Sequence, residues 1–285
     1  MLWENLRCEE FEEAVKISKG VCVVPIGCLE KHGPHSPLGT DTIIGTESCI
    51  RAAALEPVVI FPTMFFGDKS GAAGGFPGTV VFSLETRWHI FRETCNEIHR
   101  NGFKKILFVN AHGGNKDMLG AFTRAMMVEN PDVMCFVTST GGDAIPTLTE
   151  ILAATEGYEY LTQEDRAAMQ DMVDRKIRCG HACFSETARA YHFRPETVRI
   201  DGIADENGLS IHRFDAFKEH GISTHLAWMA DHPNSYCGDN DYVLNERIAK
   251  AFTEHRIPKL AEKFRFLKNE TISNEYFEEW RPLQK

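Results

Sequence analysis

The 285-residue chain lacks a long apolar run, an excess of basic charge, a Cys-x-x-Cys pair, an internal repeat and any low-complexity tract. Each absence excludes something. No window approaches the roughly 18 to 20 apolar residues that span a bilayer, so no membrane helix is expected. Lys and Arg number 31 against 41 Asp and Glu, a formal net charge of −10. No overall basic field attracts phosphate backbones or anionic lipid, and neither nucleic acid nor a membrane is an expected partner. The opening segment carries Glu4, Glu9, Glu10, Glu12 and Glu13 and resembles neither a secretory signal nor a basic transit peptide, so a cytoplasmic protein is the expectation. Nine cysteines, an odd number without Cys-x-x-Cys spacing, read as reduced thiols and small core residues. With no Pro/Ser-rich linker to divide the chain, one compact domain over residues 1–285 is expected.

What is present is an alternation of strands and helices. Val21–Ile26, a short β-branched run between Gly20 and Gly27, reads as a buried strand, and 41–55 as a helix. Pro57–Phe61 reads as a second strand, followed by a Gly-rich stretch, 67–78, too irregular for a regular element. Trp88, Phe91, Cys95 and Ile98 recur at steps of three and four, with Ser83 placed to cap the front and Asn101-Gly102 to stop the back. Ile106–Asn110 gives a further strand, Met118, Leu119, Phe122 and Met126 a further helix, and Val133–Thr138 another strand. This order predicts an α/β fold, a three-layer αβα sandwich around a mostly parallel sheet. Ligands of such sheets sit where loops leave the carboxyl ends of the strands. The loops carrying Glu30 to Asp41, Gly67 to Gly78 and His112 to Asn115 all leave strands in this way.

Those loops hold the residues that bear chemistry. Glu30 and His32 alternate on an extended segment and project to one side. Asp41, at the predicted start of a helix, reads alone as an N-cap. His112 leaves a buried strand into Gly113-Gly114, whose backbone can approach a ligand closely, and Asn115 is placed to cap the next helix. His181 and Glu186 add another imidazole and another carboxylate. Oxygen and imidazole donors of this mixture suit Zn²⁺, Mn²⁺ or Fe²⁺, and a shared carboxylate can bridge two such ions. The set Glu30, His32, Asp41, His112 and Glu186 is large enough for two divalent ions per subunit. Cys179 and Cys183 flank His181, but no second cysteine pair stands ready to close a four-ligand thiolate site. Two rivals differ in kind: a non-catalytic metal-binding protein, and a thiol hydrolase using Cys28 or Cys183, for which no oriented Cys/His/Asn set is visible. In 205–235, His212, His220, His225 and Asp231-His232 could line a pocket mouth but read first as surface or capping groups, and Trp228 could contact substrate but reads first as ordinary packing.

Taken together, Pro25 to Asp41, Phe76-Pro-Gly-Thr79, Asn110 to Asn115 and Gly180 to Thr187 resemble the creatininase (creatinine amidohydrolase) family, in order and over about two-thirds of the chain. The resemblance implies an α/β metalloenzyme with two divalent ions, zinc or manganese, that hydrolyses a linear or cyclic amide C–N bond and assembles as a homo-oligomer, often a hexamer. It implies that Glu30 and His112 hold one ion and His32 the other, that Asp41 bridges them, and that Glu186 is the remaining carboxylate ligand beside the reaction. His181 resembles the acid/base histidine near the substrate, Ser70 a substrate-contacting serine, and Gly113 adjoins the substrate. Where creatininase has a metal-binding glutamate this chain has Gly114, which passes that duty to Glu186. Ile177 and Arg178 stand where creatininase has tryptophan and aspartate. The amide is thereby kept and its carrier left open, with formamides and peptide-like amides as alternatives to the non-peptide amide.

Overall fold

The computed structural model describes residues 1–68, 75–140 and 143–284. In chain order the elements are α1 (Phe11–Ile17), β1 (Val21–Ile26), α2 (Thr40–Leu55), β2 (Val59–Ile60), α3 (Leu84–Arg100), β3 (Lys105–Asn110), α4 (Lys116–Glu129) and β4 (Met134–Ser139). They continue with α5 (Ala144–Ala153), α6 (Gln163–Asp174), β5 (Cys179–His181), α7 (Phe184–Phe193), α8 (Asp215–Glu219), α9 (Leu226–Asp231), β6 (Cys237–Gly238), α10 (Glu246–Glu254), α11 (Ile257–Asn269) and α12 (Ile272–Glu275). Strands β2, β1, β3 and β4 lie in that order in one parallel sheet, with Val21 opposite Lys105 and Lys105 opposite Met134. β5 and β6 form a separate antiparallel pair.

Every residue of β1 is buried, yet its side chains still alternate. Cys22, Val24 and Ile26 join Phe91, Cys95 and Ile98 of α3 and Leu119 and Phe122 of α4 in one core. Val21 and Val23 join Cys49 and Ala52 of α2 and Leu260 and Phe264 of α11 in another. Helices therefore cover both faces of the sheet, and the chain is a three-layer α/β sandwich. A third core links α5, α6, α7 and α10 through Leu148, Met169, Phe184 and Phe252. No helix among the described residues is long and apolar enough to cross a membrane.

Three local expectations need correction. The strand at 57–61 pairs regularly only over Val59–Ile60; Pro57 and Pro62 flank it without an N–H to donate. Asn115 does not cap α4 with its side chain. Its Oδ1 accepts from the Asp68 N–H at 2.6 Å and its Nδ2 donates to Asn110 Oδ1 at 3.0 Å, so it ties two loops and a strand end together. Asp41 is no N-cap either: it lies inside the first turn of α2, which Gly39 precedes, and its carboxylate turns inward. Ser83, by contrast, caps α3 through the Thr86 N–H at 3.1 Å.

Candidate metal centre

Three segments meet at the carboxyl end of the sheet: the loop after β1, the loop after β3, and the segment from the end of β5 to the first turn of α7. Glu30, His32 and Asp41 come from the first and from the α2 start, His112 from the second, His181 and Glu186 from the third. Glu30, His32 and Asp41 are 0% exposed and His112 and His181 6% and 8%. His112 Nδ1 lies 2.8 Å from both Glu30 Oε1 and Asp41 Oδ2. The other Asp41 oxygen, Oδ1, is 3.3 Å from His32 Nε2, which is itself 3.7 Å from Glu186 Oε2. One carboxylate thus reaches two histidines with two different oxygens. His181 Nε2 lies 3.7 Å from Glu30 Oε2, and its ring centroid is 4.2 Å from that of His32.

The remaining ring nitrogens decide what these histidines can do. His32 Nδ1 donates to the Glu30 carbonyl at 3.1 Å, His112 Nε2 to the Asp68 carbonyl at 2.7 Å and His181 Nε2 to the Lys31 carbonyl at 2.7 Å. For His32 and His112 this leaves the opposite nitrogen facing carboxylates, the arrangement by which a backbone carbonyl orients a metal-binding imidazole. Gly114 makes the mount at His112 possible. A Cβ there would lie 2.5 Å from the Asp68 carbonyl oxygen and 2.6 Å from His112 Nε2, inside the bond they make. After β5, Ala182 takes a φ of +58°, and its N–H donates to Glu186 Oε2 at 2.6 Å. That left-handed turn sets His181 and Glu186 on the same side.

The electrostatics follow from burial and crowding. Burial opposes charge on His32, but Asp41, Glu186 and Glu30 outweigh it and push the imidazole up to about 9. His112 is likewise raised, against its own burial, by Asp41 and Glu30. Burial would raise Glu30 and Asp41, yet the surrounding imidazoles hold both carboxyls below the usual range. Glu186 goes the other way: burial pushes it up to about 8, the His32 charge offsetting only part. The two carboxylates held ionised, Glu30 and Asp41, need positive charge, and protons on the histidines supply it, while Glu186 keeps its own proton at neutral pH.

Do these residues fit divalent ions? Single donor atoms of His32, Asp41 and Glu186 all lie within 4.8 Å of one another, as do those of Glu30, His32 and His181, and those of Cys28, Glu30 and His112. Oxygen and nitrogen donors with two oriented imidazoles and a shared carboxylate suit Zn²⁺ or Mn²⁺. The fit is good. Cys28, fully buried, reads from the sequence as a candidate nucleophile, and the structure sets it with Glu30 and His112 as a candidate ligand instead. The alternation that pairs Glu30 with His32 places Cys28 on the same side, and that signal could have found it.

A cavity of about 400 Å³ opens onto the centre, walled by His112, Gly113, Gly114, His181, Glu186 and Trp228 among others. Trp228 meets His181 edge-on at 5.5 Å. It is a wall of the cavity, not ordinary packing, and exposed His225 stands at the rim, 3.4 Å from Asp117. His212 and His220 stay at the surface, while buried Asp231 accepts from the Phe214 N–H at 3.1 Å. Arg178 is committed to Asp239 at 2.6 Å, and Ile177 is core. Ser70 lies outside the described residues. None of the nine cysteines is in a disulfide.

The sequence profile of the creatininase family, creatinine amidohydrolase, matches residues 4–264. The chain belongs to the creatininase family. Mycofactocin precursor peptide peptidase of Mycolicibacterium smegmatis is 32% identical over 177 residues, 58% of this chain and 71% of that relative. Creatinine amidohydrolase of Pseudomonas putida is 29% identical over 115 residues, 39% of this chain and 44% of that relative. Among solved structures, that of creatinine amidohydrolase superposes with a TM-score of 0.72 at 18% identity, over 95% of this chain and 98% of that one. Solved creatininases of similar fold include one with Mn and a mutant of Zn–Zn type, each with a TM-score of 0.71. As a member of that family, the chain is a metal-dependent hydrolase of amide bonds.

Proposed function

We propose that this protein cleaves a linear or cyclic amide C–N bond outside a peptide backbone, using two divalent ions in a site built within one domain spanning residues 1–285. Glu30 and His112 would hold one ion, His32 and Glu186 the other, and Asp41 would serve both; the metal would be zinc or manganese, with iron as a third option. The observation that carries the reading is Asp41, whose two oxygens face His32 and His112 separately. When bound, the ions supply an acidified water and an electrophilic contact for the scissile carbonyl. The residues do the rest. Gly113 leaves the cavity wall bare enough for the amide to lie against His112. His181 stands at the cavity wall with an imidazole able to pass a proton to the leaving nitrogen. Glu186, next to it, orients the turn through the Ala182 N–H. The substrate is a small amide, and the protein works as a cytoplasmic homo-oligomer, six copies by family resemblance. A peptide-like amide is the second reading, favoured by the 32% identity to a peptidase.

The test is release of ammonia, amine or formate by metal-reconstituted protein from creatinine, formamides and short lactams. Chelation is expected to abolish the release while far-UV dichroism changes little. Collapse of the fold on chelation would instead mark a purely structural site.

A second expectation comes from the protonated histidines. Metal uptake at pH 7 should expel roughly two to three protons, from His32, His112 and Glu186, because each must be deprotonated to act as a ligand. Calorimetry in buffers of different ionisation enthalpy measures the number directly, and a value near zero would contradict the assignment. The sign for stability follows. His32 is raised, so in metal-free protein its contribution is complete below about pH 6.5 and lost as pH rises through about 9. Glu186, also raised, loses its contribution as pH rises through about 8. Asp41 and Glu30 are lowered, so theirs is present above the ordinary carboxylate range. Metal-free protein should therefore melt at a lower temperature at pH 9 than at pH 6.

A further inference from the structure

A second cavity, of about 360 Å³, adjoins the first and shares His112, Gly113, Gly180 and Glu186 with it. Its wall turns away from Trp228 and carries Asn110, Thr140, Ser185 and Arg189. Arg189 is 5% exposed. Its Nε donates to the Ser185 carbonyl at 2.8 Å, its Nη1 to Thr140 Oγ1 at 3.0 Å and its Nη2 to Ser185 Oγ at 3.5 Å. All three acceptors are neutral. Among the described residues no carboxylate forms an ion pair with it; the acids in the cavity wall are Asp143, exposed, and Glu186.

A buried guanidinium without a paired anion is costly to keep, and such groups are rare unless something completes them. Burial depresses the charge on Arg189, and the strongest opposing influence is Glu186. Glu186 is also assigned to a metal ion, and a carboxylate spent on a cation leaves Arg189 facing only hydroxyl and carbonyl oxygens. The neighbourhood does not relieve it. Arg256, beside the adjoining cavity that also contains Thr140 and Asp143, is pushed down to about 10 by burial and by the charge of Arg189. Planar, forked and partly satisfied on one side, the guanidinium has the geometry for a carboxylate on the other.

We propose that Arg189 anchors a carboxylate of the substrate, and that the second cavity takes the carboxylate-bearing arm of a linear amide of the N-acyl amino acid class. The inference rests on the amide-hydrolase reading above. The amide lies between the metal-binding residues and His181, and the arm passes Gly180 and Glu186 to reach the guanidinium. Water is added across the C–N bond, hydroxyl to the acyl carbon and hydrogen to the nitrogen, and the carboxylate leaves on the amine product.

The test uses metal-loaded full-length protein and two probes that differ only at the anchored end, N-acetylglycine and N-acetylglycinamide. Wild type should bind the acid at least about tenfold more tightly than the amide. Arg189→Gln, with metal content unchanged, should bind both alike, and Arg189→Lys should recover part of the preference. An acid preference that survives in Arg189→Gln would place the carboxylate on the ions and overturn the assignment. So would equal binding of the two probes to wild type, failure of both to bind, or loss of metal in Arg189→Gln, which would make Arg189 a positioning residue for Glu186. Competition by free acetate as strong as by N-acetylglycine would mean that any small anion fits, and would overturn the substrate class. Should Arg189→Gln not fold, a crystal structure of wild type with N-acetylglycine decides: carboxylate on the guanidinium supports the proposal, carboxylate among Glu30, Asp41 and His112 refutes it. Glycine release is measured separately, so binding preference without hydrolysis would sink the hydrolase reading and leave the anchor standing.

Discussion

Asp41→Ala is expected to strip the protein of metal at both positions at once, weakening binding at least about a hundredfold, the upper end of what loss of an outer partner alone costs. The physical reason is in the distances. Oδ2 is 2.8 Å from His112 Nδ1 and Oδ1 is 3.3 Å from His32 Nε2, so no neighbouring side chain can stand in for either oxygen without vacating its own place. The variant also removes the negative charge that contributes most to raising His32 and His112. Both imidazoles should then titrate at lower pH, a shift readable by NMR of the histidine ring protons in metal-free protein. Elemental analysis of Asp41→Ala and of the isosteric Asp41→Asn gives the primary readout. Two ions per chain retained in both variants would end the bridging assignment, and loss of one ion with the other kept would reduce Asp41 to a ligand of a single site.

That Asp41 could be misread as a helix cap shows where sequence reasoning stops. Element types were legible because periodicity is a local property: alternation in Val21–Ile26 and the three-four spacing of Trp88, Phe91, Cys95 and Ile98 need no knowledge of partners. The family resemblance was legible because Glu30, His32, His112 and His181 sit in short motifs. The side-chain partners were not. Asn115 reads as a cap from its position before α4, but the Asp68 N–H offers it a competing bond across 47 residues, and nothing local announces that. Trp228 likewise looks like packing until the chain carries it to the edge of the His181 ring. Arg189 is the sharpest case. Within α7 it follows Glu186 by three residues and reads as an ordinary helical side chain, and only burial against Thr140 and Ser185 reveals a charge that lacks its counterpart.

His181 should behave in the opposite way to Asp41. Its Nε2 is fixed by the Lys31 carbonyl at 2.7 Å and stands 3.7 Å from Glu30, close to the centre yet turned to the cavity that also contains Gly113 and Trp228. A group whose task is to deliver a proton to the departing nitrogen contributes to the barrier far more than to the resting metal site. His181→Asn is therefore expected to lower kcat by roughly 10²–10⁴, the usual worth of a positioned acid or base, with both ions retained. The same variant discriminates against a ligand role, which the proximity of His181 to Glu30 and His32 leaves geometrically open. Loss of metal in step with loss of rate, so that activity per bound ion stays constant, would make His181 a ligand. Rate lost at full occupancy, with the alkaline or acidic limb of the kcat profile flattened, would identify it as the proton donor. Amides with better leaving groups sharpen the comparison: an amine that departs without protonation needs no donor, so His181→Asn should approach wild-type turnover on an activated anilide while remaining crippled on an alkyl amide.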